Sequence, residues 1–288
     1  MDGLSAALMA QLAGRIVDAE HLDAVASLCS RSLVDSPTRE ELQFMLFEVE
    51  PVAQVWGDPE VGVAAVAVHP AGAFLRLLVV DGEHRRRGYG KELLAWAESA
   101  ARNAGAPWLH VGSEAPWYLW PGIDTTELGL LCLLDQAKYD RVDSAWNMGV
   151  DLATFDGDLT RDGEGARVAV AADRVAVQDW TAKHWAHWAP EMLRALDRGT
   201  LVVSHDDEGI TAACAYGASR ERFLGPVAVR PDLMGSGAGQ AVLVRALQEM
   251  RDAGLDRAEI AWVGPIRPYV QVGAMVDRIF SVQKKRFT

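Results

Sequence analysis

The stretch from Val80 to Gly105 is written a second time at Val229 to Gly254. Val80, Arg85, Gly88, Gly90 and Gly105 each have a counterpart 149 positions later, at Val229, Met234, Gly237, Gly239 and Gly254. In a chain of 288 residues that offset is slightly over half, which predicts a tandem duplication and two domains of one fold. Each half would hold about 140 residues, enough to bury a core of its own. The spacing places the domains at 1–155 and 167–288. Between them, 156–166 reads as a linker, because Asp156 to Gly165 (DGDLTRDGEG) is polar and rich in turn formers.

The repeated stretch has one physical reading in both copies. An apolar run (Phe74, Leu75, Leu77, Leu78, Val79, Val80) predicts a buried strand. A glycine-bearing turn follows, then an amphipathic helix with Leu93, Leu94, Ala97 and Ala101 on one face. In the second copy Leu243, Leu247 and Met250 form the stripe and Gly254 the stop. Glycines at a helix start let an anion approach the unpaired N–H groups and the positive end of the helix dipole. Arg85, Arg86 and Arg87 add charge suited to phosphate. The dinucleotide fingerprint needs a third glycine three residues after the second, and neither copy has one.

The rest of each half repeats the same order. In the first, a short strand at Arg15–Val17 precedes helices over 19–32 and 38–48, the second opened by Ser36-Pro37-Thr38. A hairpin joins 54–58 to 62–69, and a strand at 108–111 follows the repeated helix. A Trp-rich loop (113–129), a helix (128–138) and a closing strand (143–152) complete the half. The second half has strands at 168–171, 201–204, 210–217, 222–230, 258–263 and from 278 onward. Its helices cover 180–198, the stretch to 253, and 265–272. The fold class is α/β, a mixed sheet with helices on both faces, present twice.

The spacing Val-x4-Arg-x-x-Gly-x-Gly resembles the acyl-CoA pyrophosphate loop of the GNAT superfamily of N-acetyltransferases. The match is closest at Val80 to Gly90, and Val229 to Gly239 is similar with Met234 in place of Arg. Gly225-Pro226-Val227 looks like that family's fourth strand, and Pro268-Tyr269 with Gly273-Ala274 like its late helix. The layout is similar to the two-domain members of the superfamily, of which mycothiol synthase-like proteins are the best known. The resemblance implies two tandem GNAT-like domains that bind acetyl-CoA. The implied cofactor contacts are Val79, Val80, Arg85, Arg86, Arg87, Gly88, Tyr89, Gly90 and Lys91 in the first half. In the second they are Ala228, Val229, Met234, Gly235, Ser236, Gly237, Ala238 and Gly239. Within these, Val79 or Val80, and Ala228 or Val229, would turn a backbone N–H to the thioester carbonyl. Tyr269 would be the acid that protonates the leaving thiolate, and Leu134 stands at that position in the first half. The second half is therefore expected to be catalytic. Glu221 is the candidate base, with Glu259, His184 and His187 as further candidates; Tyr118, His110 and Glu114 would matter if the first half were active.

Composition narrows the partners. A net charge of −12 argues against nucleic acid and anionic membranes. Cys29, Cys132 and Cys214 lie far apart without metal-site spacing, which fits a reducing cytosol and no metal. The first residues (MDGLSAALMAQLAG) lack the basic flank of a signal peptide, and no apolar run suits a membrane span, so a soluble cytoplasmic protein is expected. Two functions remain: acetyl transfer to a small amine by direct attack, or acyl-CoA binding without catalysis, as a sensor or scaffold.

Overall fold

Several helices end where a left-handed residue turns the backbone away, as at Gly105, Lys138, Gly199 and Gly254. Thr38 opens one with a capping box: its hydroxyl accepts from the Glu41 N–H (3.2 Å) and the Glu41 carboxylate accepts from its N–H (2.8 Å). The computed structural model describes residues 12, 14–157 and 165–287. Among them no helix is long and apolar enough to cross a membrane. The first eleven residues and most of the expected linker lie outside the described residues.

The chain forms two compact units, one running to Ser144 and including Phe280 onward, the other Ala145–Ile279. This differs from the division expected from composition. A polar, glycine-bearing run marks where a chain leaves packed structure, but it does not say which sheet a neighbouring strand joins.

In chain order the first unit has β1 (Arg15–Ile16), α1 (Leu22–Ser32), α2 (Arg39–Gln43), β2 (Gln54–Asp58), β3 (Gly62–His69), β4 (Gly72–Val80), α3 (Tyr89–Asn103), β5 (Trp108–Val111), β6 (Ile123–Asp124) and α4 (Leu128–Gln136). The wide turn Phe44–Glu48 extends α2. Then comes β7 (Asp140–Asp151), whose residues from Ala145 belong to the second unit. That unit continues with β8 (Ala166–Val168), α5 (Arg174–His184), α6 (Ala189–Arg198), β9 (Leu201–Asp206), β10 (Gly209–Tyr216), β11 (Phe223–Val229), α7 (Ala238–Asp252), β12 (Arg257–Ile260), α8 (Arg267–Val270) and β13 (Met275–Arg286). The last strand returns to the first unit from Phe280.

The first sheet runs β1-β2-β3-β4-β5-β13 and the second β8-β9-β10-β11-β12-β7. The strands given a register pair antiparallel except β4 with β5 and β11 with β12, which are parallel. Both faces of each sheet are covered, so β3 (GVAAVAVH) and β10 (GITAACAY) are mostly apolar instead of alternating. Leu93, Leu94, Ala97 and Ala101 of α3 are buried on one face of the first sheet, as are Leu243, Leu247 and Met250 of α7 on the second. Helices α1 and α2 cover the other face of the first sheet, and α5 and α6 that of the second.

Two stretches differ from the sequence expectation. β12 stops at Ile260 because Trp262 takes a left-handed turn (φ 51°) and its N–H donates to Asn147 Oδ1 (2.9 Å). The Trp-rich loop carries β6, which pairs with β13 through Ile123↔Ser281 and Asp124↔Phe280. Phe280 is fully buried. Phe280→Ala is expected to cost about 3–5 kcal/mol. Hydrogen exchange should show faster amides in β4 and β5 and unchanged ones in β10 and β11.

Candidate active site

Each sheet opens at one place. β4 and β5 pair only at Ala73↔Leu109, Phe74↔His110 and Leu75↔Val111. β11 and β12 pair only at Phe223↔Glu259 and Leu224↔Ile260. Beyond these points β4 continues to Val80 and β11 to Val229, leaving a wedge on one side of each. A bulge bends the strand at the same place in both copies. Arg76 is the extra residue where the β3–β4 register slips, and Gly225-Pro226 opposes Ala215 where the β10–β11 register slips.

Register also decides which backbone groups face the wedge. Asp81 donates its N–H to the Val61 carbonyl (2.9 Å), and Arg230 to the Thr211 carbonyl (2.7 Å). Alternation along an antiparallel ladder then turns the backbone groups of Val79 and Ala228 into the ladder, and those of Val80 and Val229 toward the wedge. Of the sequence candidates for an N–H donor, Val79 and Ala228 are thereby excluded by geometry. Their side chains belong to buried clusters.

Each wedge-facing carbonyl is taken by a side chain, but by a different one. Val80 accepts from Arg85 Nε (3.2 Å), and the same guanidinium donates to the Ser32 carbonyl at the end of α1 (2.6 Å). Met234 replaces that arginine in the second copy and is 61% exposed. There Trp185, between α5 and α6, donates its indole N–H to the Val229 carbonyl (3.1 Å). The charge of Arg85 expected for phosphate thus braces the strand, while Arg86 and Arg87 are exposed.

The two loops share a backbone course. Arg86 (φ 64°) and Gly88 (φ 100°) are left-handed in the first, as are Gly235 (φ 85°) and Gly237 (φ 100°) in the second. Gly88 and Gly237 each N-cap a helix of 15 residues without a side-chain cap. The first-turn N–H groups at Gly88, Tyr89, Gly90 and Lys91, and at Gly237 and Gly239, point out of the helix end, where an anion fits. Ser236 Oγ accepts from Ala238 N–H (3.3 Å) and would yield to a stronger acceptor. A side chain on Gly237 would meet no atom within 4 Å, whereas Gly239 packs on Val229 so closely that a Cβ would lie 2.8 Å from its Cγ2. That contact sets the helix start against the end of β11.

Tyr269 and Leu134 occupy the same turn of the two units. Ala274 donates its N–H to the Tyr269 carbonyl, and Tyr139 to the Leu134 carbonyl (3.0 Å each). Left-handed Gly273 (φ 79°) and Lys138 (φ 64°) precede the donors. Leu134 is fully buried, whereas Tyr269 is half-buried against the cluster that contains Cys214. Burial pushes the Tyr269 phenol up to about 12, with Cys214 adding to the effect.

The wedges differ most at the bulge. In the first unit Arg76 is buried and pairs with buried Glu114 through two hydrogen bonds. Arg76 also donates to the carbonyls of Met45 (2.8 Å) and Val49 (3.3 Å), and His69 Nε2 lies 2.6 Å from Glu114. The remaining cavity, between Phe74, Arg76, Glu114, Tyr118 and Trp120, is about 20 Å³. That is room for one water. At the matching position of the second unit Gly225 is left-handed (φ 130°), and a side chain there would meet no atom within 4 Å. A side-chain pair fills the bulge of the first unit, and the space beside Gly225 at the bulge of the second is unfilled.

The acid and base candidates separate in the same way. Glu259 is buried and tied to Asn147 Nδ2 and to Arg278 (3.2 Å), which gives it a structural role. Glu221 lies exposed on the turn before β11. His184 is half-buried beside Trp180, and His187 is exposed against Trp188 (ring centroids 4.6 Å apart). His110 on β5 bonds the Gly112 carbonyl and Ser113, and burial holds it below its usual value.

One residue escaped the sequence reading. Glu191, in the first turn of α6, has no hydrogen bond or ion pair among the described residues, and burial pushes its carboxyl up to about 8. Its counterpart Glu41 closes a capping box with Thr38, but here Trp188 is the N-cap and its N–H is bonded to the Trp185 carbonyl (2.8 Å). A glutamate at the capping-box position without a Ser or Thr three residues earlier was the available signal.

Residues 44–119 match the acetyltransferase (GNAT) domain family, about a quarter of the chain and within the first copy. No curated protein matches the sequence. Among solved structures, a GCN5-related N-acetyltransferase from Sphaerobacter thermophilus is 18% identical with a TM-score of 0.68, over 95% of both chains. A tandem GNAT protein from the clavulanic acid biosynthesis pathway is 15% identical with a TM-score of 0.69, over 96% of this chain and 98% of that one. The glucosamine N-acetyltransferase region of a fungal multi-domain β-N-acetylglucosaminidase gives a TM-score of 0.73 at 16% identity, with 96% of this chain covering 38% of that protein. At these identities the likeness is one of fold. The architecture resembles that of the tandem GNAT proteins, and the match to the acetyltransferase domain family is confined to residues 44–119.

Two outcomes follow from the charges. Glu114→Gln leaves Arg76 buried without its anion and should cost about 3–5 kcal/mol, read by denaturant unfolding. The Glu191 carboxyl is raised above its ordinary value, so its contribution to stability is full below pH about 4.5 and is lost as pH rises through about 8. Glu191→Gln, which stays neutral, should therefore gain in melting temperature over the parent between pH 5 and pH 9.

Proposed function

We propose that the protein is an acetyl-CoA-dependent N-acetyltransferase whose second unit transfers the acetyl group to a small amine by direct attack. The observation that carries the choice of unit is the open bulge at Gly225 against the filled one at Arg76. Acetyl-CoA, when bound, supplies the acetyl thioester. The loop Met234–Gly239 would hold its pyrophosphate through the N–H groups at Gly237 and Gly239, and the Val229 N–H would face the thioester carbonyl. Tyr269 keeps its phenolic proton throughout the neutral range and is the donor for the departing sulfur. The layout in two units is what favours a likeness to mycothiol synthase-like proteins, and it does not choose the acceptor.

A second reading concerns the first unit alone. Its loop has the same left-handed course, yet its bulge is filled and Leu134 replaces the acid. These features favour acyl-CoA binding without transfer, in a sensing or scaffolding role.

Placing a carboxylate in either phosphate site separates the units. Gly237→Glu should abolish release of free thiol from acetyl-CoA with an amine panel, while Gly88→Glu should lower the CoA stoichiometry in calorimetry and leave turnover intact. Unchanged stoichiometry in Gly88→Glu would make the first loop structural only. Tyr269→Phe keeps the ring and should lower kcat by about 10²–10³-fold with little change in KM for acetyl-CoA. A fully active Tyr269→Phe would move the transfer to the first unit, beside Tyr118, His110 and Glu114.

A further inference from the structure

The flank of α6 that carries Glu191 lies between two anchors, Trp185 before the helix and Arg194 within it. At the C-terminal end of β11, Trp185 donates to the Val229 carbonyl and stacks on Trp188, with ring centroids 4.9 Å apart and planes 22° from parallel. Toward the other end, Arg194 Nε donates to the Ala218 carbonyl on the turn that leads into β11 (2.7 Å). Ala195 of α6 and Ala228 of β11 share one buried cluster. Glu191 stands three residues from Trp188 and three from Arg194, so it projects from the same flank. Trp188, at the start of that flank, stacks on the indole that reaches the wedge-facing Val229 carbonyl, so the flank adjoins the wedge through the tryptophan pair. A half-buried carboxylate without a partner is costly to keep charged, and a cation from outside the chain would relieve the cost.

We infer that Glu191 is the acceptor-binding carboxylate of the second unit: it receives the ammonium group of an amine whose apolar body lies against Trp185 and Trp188, and takes one proton from it. The inference rests on the transferase reading of that unit. In the step an N–H bond breaks and an O–H bond forms: carboxylate and ammonium become carboxylic acid and free amine. The lone pair stays on nitrogen, and the acid later releases its proton to solvent. An aromatic pair beside an anion suits such a ligand, because ring faces attract cations and ring area covers the apolar part. The chargeable groups on the surrounding elements are His184 and His187 before α6, Arg194 and Arg198 on α6, and Arg220 and Glu221 on the turn before β11. Burial is the one cause that raises the carboxyl, and a value near 8 lets it exchange a proton with an amine close to neutral pH.

The test uses the full chain with phenethylamine and tryptamine as probes and 2-phenylethanol as the uncharged control. With carboxyl-labelled glutamate, the carbon signal missing from Glu191→Gln should titrate near pH 8 in the parent. Either amine should move that midpoint down, since a bound cation favours the carboxylate, and the alcohol should not. In turnover, Glu191→Gln should lower kcat/KM for the amine by about 10²-fold or more and flatten its rise between pH 7 and 9. Glu191→Asp should recover part of it, and CoA affinity should stay unchanged. A signal that ignores both amines, or a parent-like pH profile in Glu191→Gln, would overturn the inference. A signal that responds to amines in a protein that releases no thiol would uphold the amine site and remove the transferase reading instead.

Discussion

The parting of two parallel strands is the constraint on which each unit depends. A strand that leaves its neighbour exposes a row of N–H and C=O groups that must find partners or face water. Both units satisfy one carbonyl with a long side chain, Arg85 at Val80 and Trp185 at Val229, and keep the adjacent N–H directed at the opening. Behind the second opening Asn147 clamps Glu259 and the Trp262 N–H, so β12 turns aside where the pairing ends. The wedge is therefore built by polar groups that are satisfied elsewhere, and the space it leaves is a by-product of that satisfaction.

Duplication let the copies solve this problem with different residues. Once Trp185 reaches Val229, an arginine five residues after the valine is no longer needed, and Met234 stands there exposed. Once Arg76 and Glu114 fill the first bulge, Leu134 packs where the second unit keeps a tyrosine. A buried pair of this kind is weak as a source of stability but strongly penalises loss of either partner. The first unit has exchanged volume for rigidity at the spot where the second keeps volume.

Much of this could be read from the sequence, for reasons that differ by level. Element order, both loops and the Tyr269–Leu134 equivalence rest on glycine positions and apolar periods, which are local. Val79 against Val80 could not be decided, because the facing of a backbone group depends on register with β3. The filling of the first bulge was hidden because Arg76 looks like an ordinary break in an apolar run, and Glu114 is far from it in sequence. Glu191 was passed over because an acid in a first helical turn already has an explanation in the helix dipole. The division within β7 and β13 was not legible, since composition does not report which sheet a strand joins.

The course of β13 has a consequence for synthesis. Gln283 pairs with Val111 and Arg286 with Trp108, so the first sheet is finished by residues made after the whole of Ala145–Ile279. During translation the second half emerges and gathers its own strands while β5 still presents a bare edge to the crowded cell. The order of birth is thus the reverse of the order of completion: the half that leaves the ribosome first is the last to close.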